Sequence, residues 1–292
     1  MTNAEKGLLM LTCPLGDESI TTMTYRQFHG LRKRMSELTC GCDKEMTESD
    51  LRAVGLPAET AKQILLLLDR EAQLDAYLKR AAQHGITTVT RVHPSYPRFL
   101  EQKLKGLAPP ALFCKGDLQL LETPCVSVVG SRKIRESNAK FARQIGEIAA
   151  QEGYTLVSGG AVGADSIAQD ACLQNGGNVI VFTPERLDKK KECPNVLYCS
   201  EYGWDMNFSA YRALDRNRLI HAMGEKSFVA QCEFGRGGSW RGAEENLKNG
   251  YSTVFVFWDG SAGAAGLLER GAIEISELQS LRELKTGQIA FL

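Results

Sequence analysis

Through the first ninety residues, apolar positions recur every three to four residues instead of alternating. The pattern is clearest over residues 59–69 (ETAKQILLLLD) and 74–82, so this part of the chain reads as a small helical domain. Within it, residues 51–64 (LRAVGLPAETAKQI) carry the apolar-glycine turn and downstream alanine of a degenerate helix-hairpin-helix. Such a turn can aim backbone N–H groups at a DNA phosphate. Here only Gly55 of the usual glycine pair is present and Pro57 removes a donor, which favours a hairpin for packing or protein contact over one for DNA.

The stretch 93–117, with Pro94, Pro97, Pro109, Pro110 and Gly116, has the breaker density of a connector leading into a strand at 111–114. Beyond Pro124 the period changes. Residues 125–129 read as a buried strand, 137–152 as a helix with Ala142, Ile145, Ile148 and Ala149 on one face, and 154–157 as the next strand. A helix over 165–174 and a strand over 178–182 follow, then apolar strands at 227–230 and 252–257 flanking a helix near 243–249. A βαβαβ order with right-handed crossovers predicts an α/β fold: a Rossmann-like, doubly wound, mostly parallel sheet preceded by a small helical domain. The expected division is 1–105 for the helical N-terminal domain and connector, and 106–292 for the sheet domain.

Composition narrows the function. Lys plus Arg equals Asp plus Glu at 35 each, so any attraction for anions has to be local. Nine scattered cysteines suit reduced thiols better than a disulfide framework. The one close pair, Cys40-Gly-Cys42, has poor zinc spacing and no histidine cluster nearby, so no metal is expected. No signal-peptide pattern or membrane-length apolar run is present, and a cytoplasmic protein without membrane contact is expected.

In a doubly wound sheet, ligands sit beyond the carboxyl ends of the strands, and three loops there could carry chemistry. Gly130-Ser131-Arg132-Lys133 combines close backbone approach, a hydroxyl and a guanidinium fork matched to phosphate. It lacks the further glycines of a dinucleotide fingerprint, so NAD is not expected. Ser158-Gly159-Gly160-Ala161-Val162-Gly163-Ala164-Asp165 is a glycine turn opening a helix. Its glycine amides are expected to receive an anion, and Asp165 to cap the helix. The third region pairs Asp215-Arg216-Asn217-Arg218 with Gly235-Arg236-Gly237-Gly238-Ser239-Trp240. There, two arginines could grip successive phosphates, and Trp240 reads either as a core aromatic or as a base-stacking ring. The four histidines lie mostly outside these loops, and no Ser/His/Asp set stands out.

The order of these segments resembles the DprA/Smf family of DNA-processing proteins. The resemblance runs from Tyr96-Pro97-Arg98-Phe99-Leu100 and the segment 109–117 through Val129-Gly130-Ser131-Arg132 and 158–165. It continues in Cys199-Ser200-Glu201-Tyr202 and 216–220 and ends at Gly237-Gly238-Ser239. It implies a single-stranded DNA-binding protein of DNA uptake and recombination that assists RecA loading, works as a homodimer, and needs no cofactor or catalysis. It further implies that Gly130, Ser131, Arg132, Gly159, Gly160, Arg216, Asn217 and Arg218 line a DNA phosphate pocket. The chain departs from the family pattern at Val162, Ala168-Gln169, Cys193-Pro194 and between Gly238 and Glu245, and no winged-helix tail is expected beyond residue 275. Two other readings use the same loops. One is a phosphoribohydrolase similar to the Lonely-guy enzymes, with Glu244 after Gly237-Gly238 as the catalytic carboxylate, although the Gly-Thr pair of that signature is missing. The other is a sensor that binds a nucleotide without turning it over.

Overall fold

The computed structural model describes residues 1–36 and 46–285, so the Cys40-Gly-Cys42 pair lies outside the described residues. Five helices come first: α1 (Asn3–Thr12), α2 (Tyr25–Ser36), α3 (Glu48–Ala53), α4 (Ala58–Leu68) and α5 (Glu71–Gln83). Capping boxes start two of them, Thr2 with Glu5 on α1 and Thr47 with Asp50 on α3. The apolar stripe seen in the sequence becomes a core of Leu9, Leu51, Ile64, Leu74 and Tyr77, each under 2% exposed. Fully burying one such aliphatic side chain stabilises the fold by about 2 kcal/mol. Leu51 and Ile64 meet across Gly55 and Pro57, so the hairpin of the sequence reading is the packed pair α3–α4.

The chain then alternates strands and helices. β1 (Ile86–Thr90), α6 (Arg98–Leu104), β2 (Ala111–Lys115), β3 (Cys125–Gly130), α7 (Glu136–Glu152), β4 (Thr155–Ser158), α8 (Ala164–Gln174), β5 (Asn178–Phe182) and β6 (Val196–Ser200) form the first run. The second run is α9 (Ala210–Asp215), α10 (Asn217–Met223), β7 (Lys226–Gln231), α11 (Gly237–Asn249), β8 (Thr253–Phe257), α12 (Ala262–Leu268) and β9 (Ile273–Ile275). The nine strands make one sheet in the order β1-β2-β6-β5-β4-β3-β7-β8-β9. From β6 to β9 all neighbours are parallel, while β2 runs antiparallel to both β1 and β6. Helices α7 and α8 cover one face, and α6, α10, α11 and α12 the other. The N-terminal helices pack on the antiparallel edge through Ile86, Ala111 and Phe113.

The expected doubly wound α/β sheet is therefore present, with differences at its margins. Ile86–Thr90 is a strand inside the span read as helical. Its three threonines hid the period, and the buried Thr90 hydroxyl donates to Glu5 at 2.9 Å. The strands β6 and β9 had no clear signal, and Arg216-Asn217-Arg218 is a corner between two helices instead of a loop. From β3 the chain steps outward through β4, β5 and β6, then returns to place β7 on the other side of β3. The connections leaving β3 and β7 go to opposite faces, and a crevice opens between them at their carboxyl ends.

Candidate functional site

A cleft of about 1000 Å³ occupies this crevice. Its walls are residues 129–135 after β3, the α9–α10 corner, residues 231–239 leading into α11, and the start of α12. Five basic side chains line it, Arg132, Lys133, Arg135, Arg216 and Arg236, against two acidic ones, Asp165 and Glu233. A chain with no net charge thus concentrates positive charge at one place. Arg135 leans toward Asp259 at 3.5 Å, and Arg236 toward Glu233 at 3.7 Å. Arg132 and Lys133 are exposed and, among the described residues, form no ion pair. Their loop is braced by Gln231 at the end of β7, which accepts from the Arg135 amide at 2.9 Å and donates to the Lys133 carbonyl at 3.2 Å; Ser131 donates to the Gln231 carbonyl at 3.3 Å. Sequence reasoning missed this glutamine, because only the sheet order brings it beside residue 133.

The floor of the cleft is Arg216, 9% exposed. Its Nη1 donates to the Phe182 carbonyl at 2.9 Å, while its buried Nε has no hydrogen-bond partner among the described residues. Burial holds the Arg216 guanidinium below its ordinary pKa, opposed by the charge of Asp165. The same burial pushes the Asp165 carboxyl up, opposed by Arg216 and by the amides of Gly159, Ala161 and Gly130. Asp165 does not cap α8. Its carboxylate accepts from Gly159 N at 2.9 Å and Ala161 N at 3.4 Å, and Ser166 receives the Gly163 amide instead.

That arrangement corrects the expectation for the second glycine turn. The amides read as anion donors are taken internally, that of Gly160 by the Ser158 hydroxyl at 3.4 Å, and Ser158, Gly159 and Gly160 line no part of the cleft. Gly159 matters by absence of a side chain, since a Cβ there would lie 1.7 Å from Arg216 Nη1. The turn is thus a bed for the arginine.

Arg218 also departs from expectation. Only 3% exposed, it donates to both Glu201 carboxylate oxygens, to Asp215 Oδ2 at 2.8 Å and to the Leu107 carbonyl at 3.3 Å, and it does not reach the cleft. Its charge is sealed within the fold. Asn217 does line the cleft and donates to the Gly238 carbonyl at 3.1 Å, tying the corner to the first turn of α11. That turn, Gly237-Gly238-Ser239, has no side-chain cap and lines the cleft, and uncapped amides at a helix N-terminus favour anions.

Apolar groups complete the walls. Phe208, Leu214 and Phe234 line the cleft at 56%, 39% and 50% exposure, and none was singled out in the sequence. Trp240, which was, is a core residue at 2%. Glu244 lines no part of the cleft and pairs with Arg270 at 3.0 Å. His221 is fully buried, and burial alone pushes its imidazole down to about 4. Among the described residues no three His, Cys, Asp or Glu side chains gather as a metal site, and no helix is long and apolar enough to cross a membrane.

A basic cleft at the switch point of a mostly parallel sheet, floored by an arginine with an unused donor, defines a Rossmann-like domain suited to phosphate-bearing ligands. Residues 87–285 match the family of DNA recombination-mediator protein A, and the chain belongs to this DprA/Smf family. It is 33% identical over 179 residues to DNA processing protein DprA of Streptococcus pneumoniae, covering 56% of this chain and 63% of that protein. It is 30% identical over 191 residues to protein Smf of Escherichia coli, covering 60% of this chain and 50% of that protein. The matches thus span half to two thirds of these relatives' lengths. The X-ray structure of the Streptococcus pneumoniae protein superposes with a TM-score of 0.67 at 28% identity, over 88% of this chain and 96% of that one. A structure of DNA processing protein A from Helicobacter pylori, reported for its single-stranded DNA binding mode, gives 0.56 at 28% identity, over 66% and 91%.

Proposed function

We propose that this chain binds single-stranded DNA by its phosphate backbone in the cleft between β3 and β7. It does so as a DNA-processing protein of DNA uptake and recombination, a homodimer that passes the strand to RecA. The observation that carries the reading is Arg216, which lines the cleft together with Arg132 and Lys133, both exposed and, among the described residues, without an ion pair. Guanidinium and ammonium groups gathered in one cleft offer charge-assisted hydrogen bonds to phosphate oxygens. The α11 amides add donors that need no particular base. Recognition through phosphates carries no sequence information and weakens steeply with salt. The single-stranded DNA binding described for the Helicobacter pylori relative supports the ligand class.

Fluorescence anisotropy with labelled oligo-dT at about 50 and about 200 mM salt tests the reading. Binding at the lower salt, a marked loss at the higher, and a loss of about tenfold in Arg132→Ala are expected, in line with one charge-assisted contact. Absence of binding at low salt, or an Arg132→Ala protein that binds like the wild type, contradicts it.

A further inference from the structure

Phosphates are displayed by duplex and single strands alike, so the basic side chains of the cleft do not explain a preference between them. The loop leaving β7 supplies what they lack. Phe234 lines the cleft half exposed, on a ring whose other contacts hold it in place. Trp240 packs behind it with centroids 4.8 Å apart and planes at 58°, and the Arg270 guanidinium lies 5.7 Å from the Phe234 centroid and 5.0 Å from that of Trp240. Gly266 closes the packing, because a Cβ there would come within 2.5 Å of the Phe234 ring. An exposed phenylalanine fixed in this way is already ordered before any ligand arrives, so little side-chain entropy is lost on binding. Arg236 and the uncapped first turn of α11 follow within three residues, placing phosphate donors beside the apolar ring.

We propose that Phe234 is a base-stacking platform that makes the cleft select unpaired nucleotides over duplex DNA; this rests on the phosphate-binding reading above. In a duplex the base faces are covered by their neighbours, and a ring in a protein wall meets only edges and backbone. In a single strand each base has a free π-face, whatever its identity, and stacking on an aromatic is sequence-tolerant. Trp240 is closed to this role by its burial and instead backs the platform.

The test measures anisotropy of the full chain with three labelled probes: oligo-dT, an abasic strand of equal length, and a mixed-sequence duplex. Phe234→Leu keeps an apolar side chain of similar bulk but removes the π-face. It is expected to weaken oligo-dT binding about tenfold, within the range for one stacked base, leave the abasic strand and the duplex unchanged, and be rescued by Phe234→Trp. Equal losses on oligo-dT and the abasic strand, or no loss on oligo-dT, overturn the platform. Displacement of oligo-dT by an equal nucleotide concentration of dTMP would show that the ring serves a free nucleotide and overturns the strand assignment. Arg132→Ala separates the two readings. If it leaves all three probes unaffected, the phosphate reading fails; if it weakens all three while Phe234→Leu does nothing, only the platform does.

Discussion

Arg216 and Arg218 stand two residues apart at the α9–α10 corner, and both are more than nine-tenths buried, yet their surroundings are opposite. Two positions along a helix differ by about 200° around its axis, so one guanidinium is delivered to the cleft and the other to the interior. Arg218 meets the paired carboxylate of Glu201, Asp215 and the face of Tyr25 on α2, 5.8 Å from the ring centroid. Tyr25 in turn donates to the Glu201 carbonyl at 3.3 Å. This charge fastens the helical layer to the sheet. Arg216 has Asp165 as its counter-charge, one carbonyl, and a donor left over. The lesson is that an arginine's role follows from whether its hydrogen-bonding capacity is exhausted within the fold, and burial alone does not decide it.

Arg218 separates the two surroundings most sharply. Truncation in Arg218→Ala leaves the Glu201 carboxylate, itself almost inaccessible, without a counter-charge. Removing one partner of a buried pair costs about 3–5 kcal/mol, which urea unfolding would register. A loss under about 1 kcal/mol would show that the sealed side is not structural.

A second effect on the same side comes from His221, whose Nε2 is buried without a hydrogen-bond partner among the described residues. Its folded pKa is about 4 against an unfolded value of about 6.5, so on acidification the unfolded chain takes up the proton first. The stability from this group is fully present above about pH 6.5, falls as the pH drops, and levels off below about 4; the total is about 3 kcal/mol. Urea melts across that window should show the fall, and His221→Leu should flatten it.

How much of this was legible in the sequence follows from where each signal is stored. β3, β4 and β5 lie inside a parallel sheet, buried on both faces, and appear as short apolar runs bounded by breakers. β1, at the sheet edge, carries three threonines and reads as polar, while β6 mixes Tyr198, Cys199 and Ser200 behind a Pro-Asn turn. In the site, Gly130, Arg132, Gly237 and Gly238 were legible because loops after strands are where such sheets hold ligands. The split between Arg216 and Arg218 was not, since Glu201 is 17 residues from Arg218 and reaches it only through the fold. The same holds for aromatics. Trp240 was the conspicuous ring, but Gly266 and Arg270 bury it behind Phe234, leaving the smaller ring in the cleft.

The smallest and most specific effect asks whether Arg216 contacts a DNA phosphate from the cleft wall. Plotting the logarithm of the oligo-dT association constant against the logarithm of salt concentration counts such contacts, each contributing about 0.7 to the slope for a single strand. Arg216→Gln should bind about tenfold more weakly near 50 mM salt, with a slope shallower by about 0.7 than the wild type. A slope and affinity unchanged from the wild type would contradict the account.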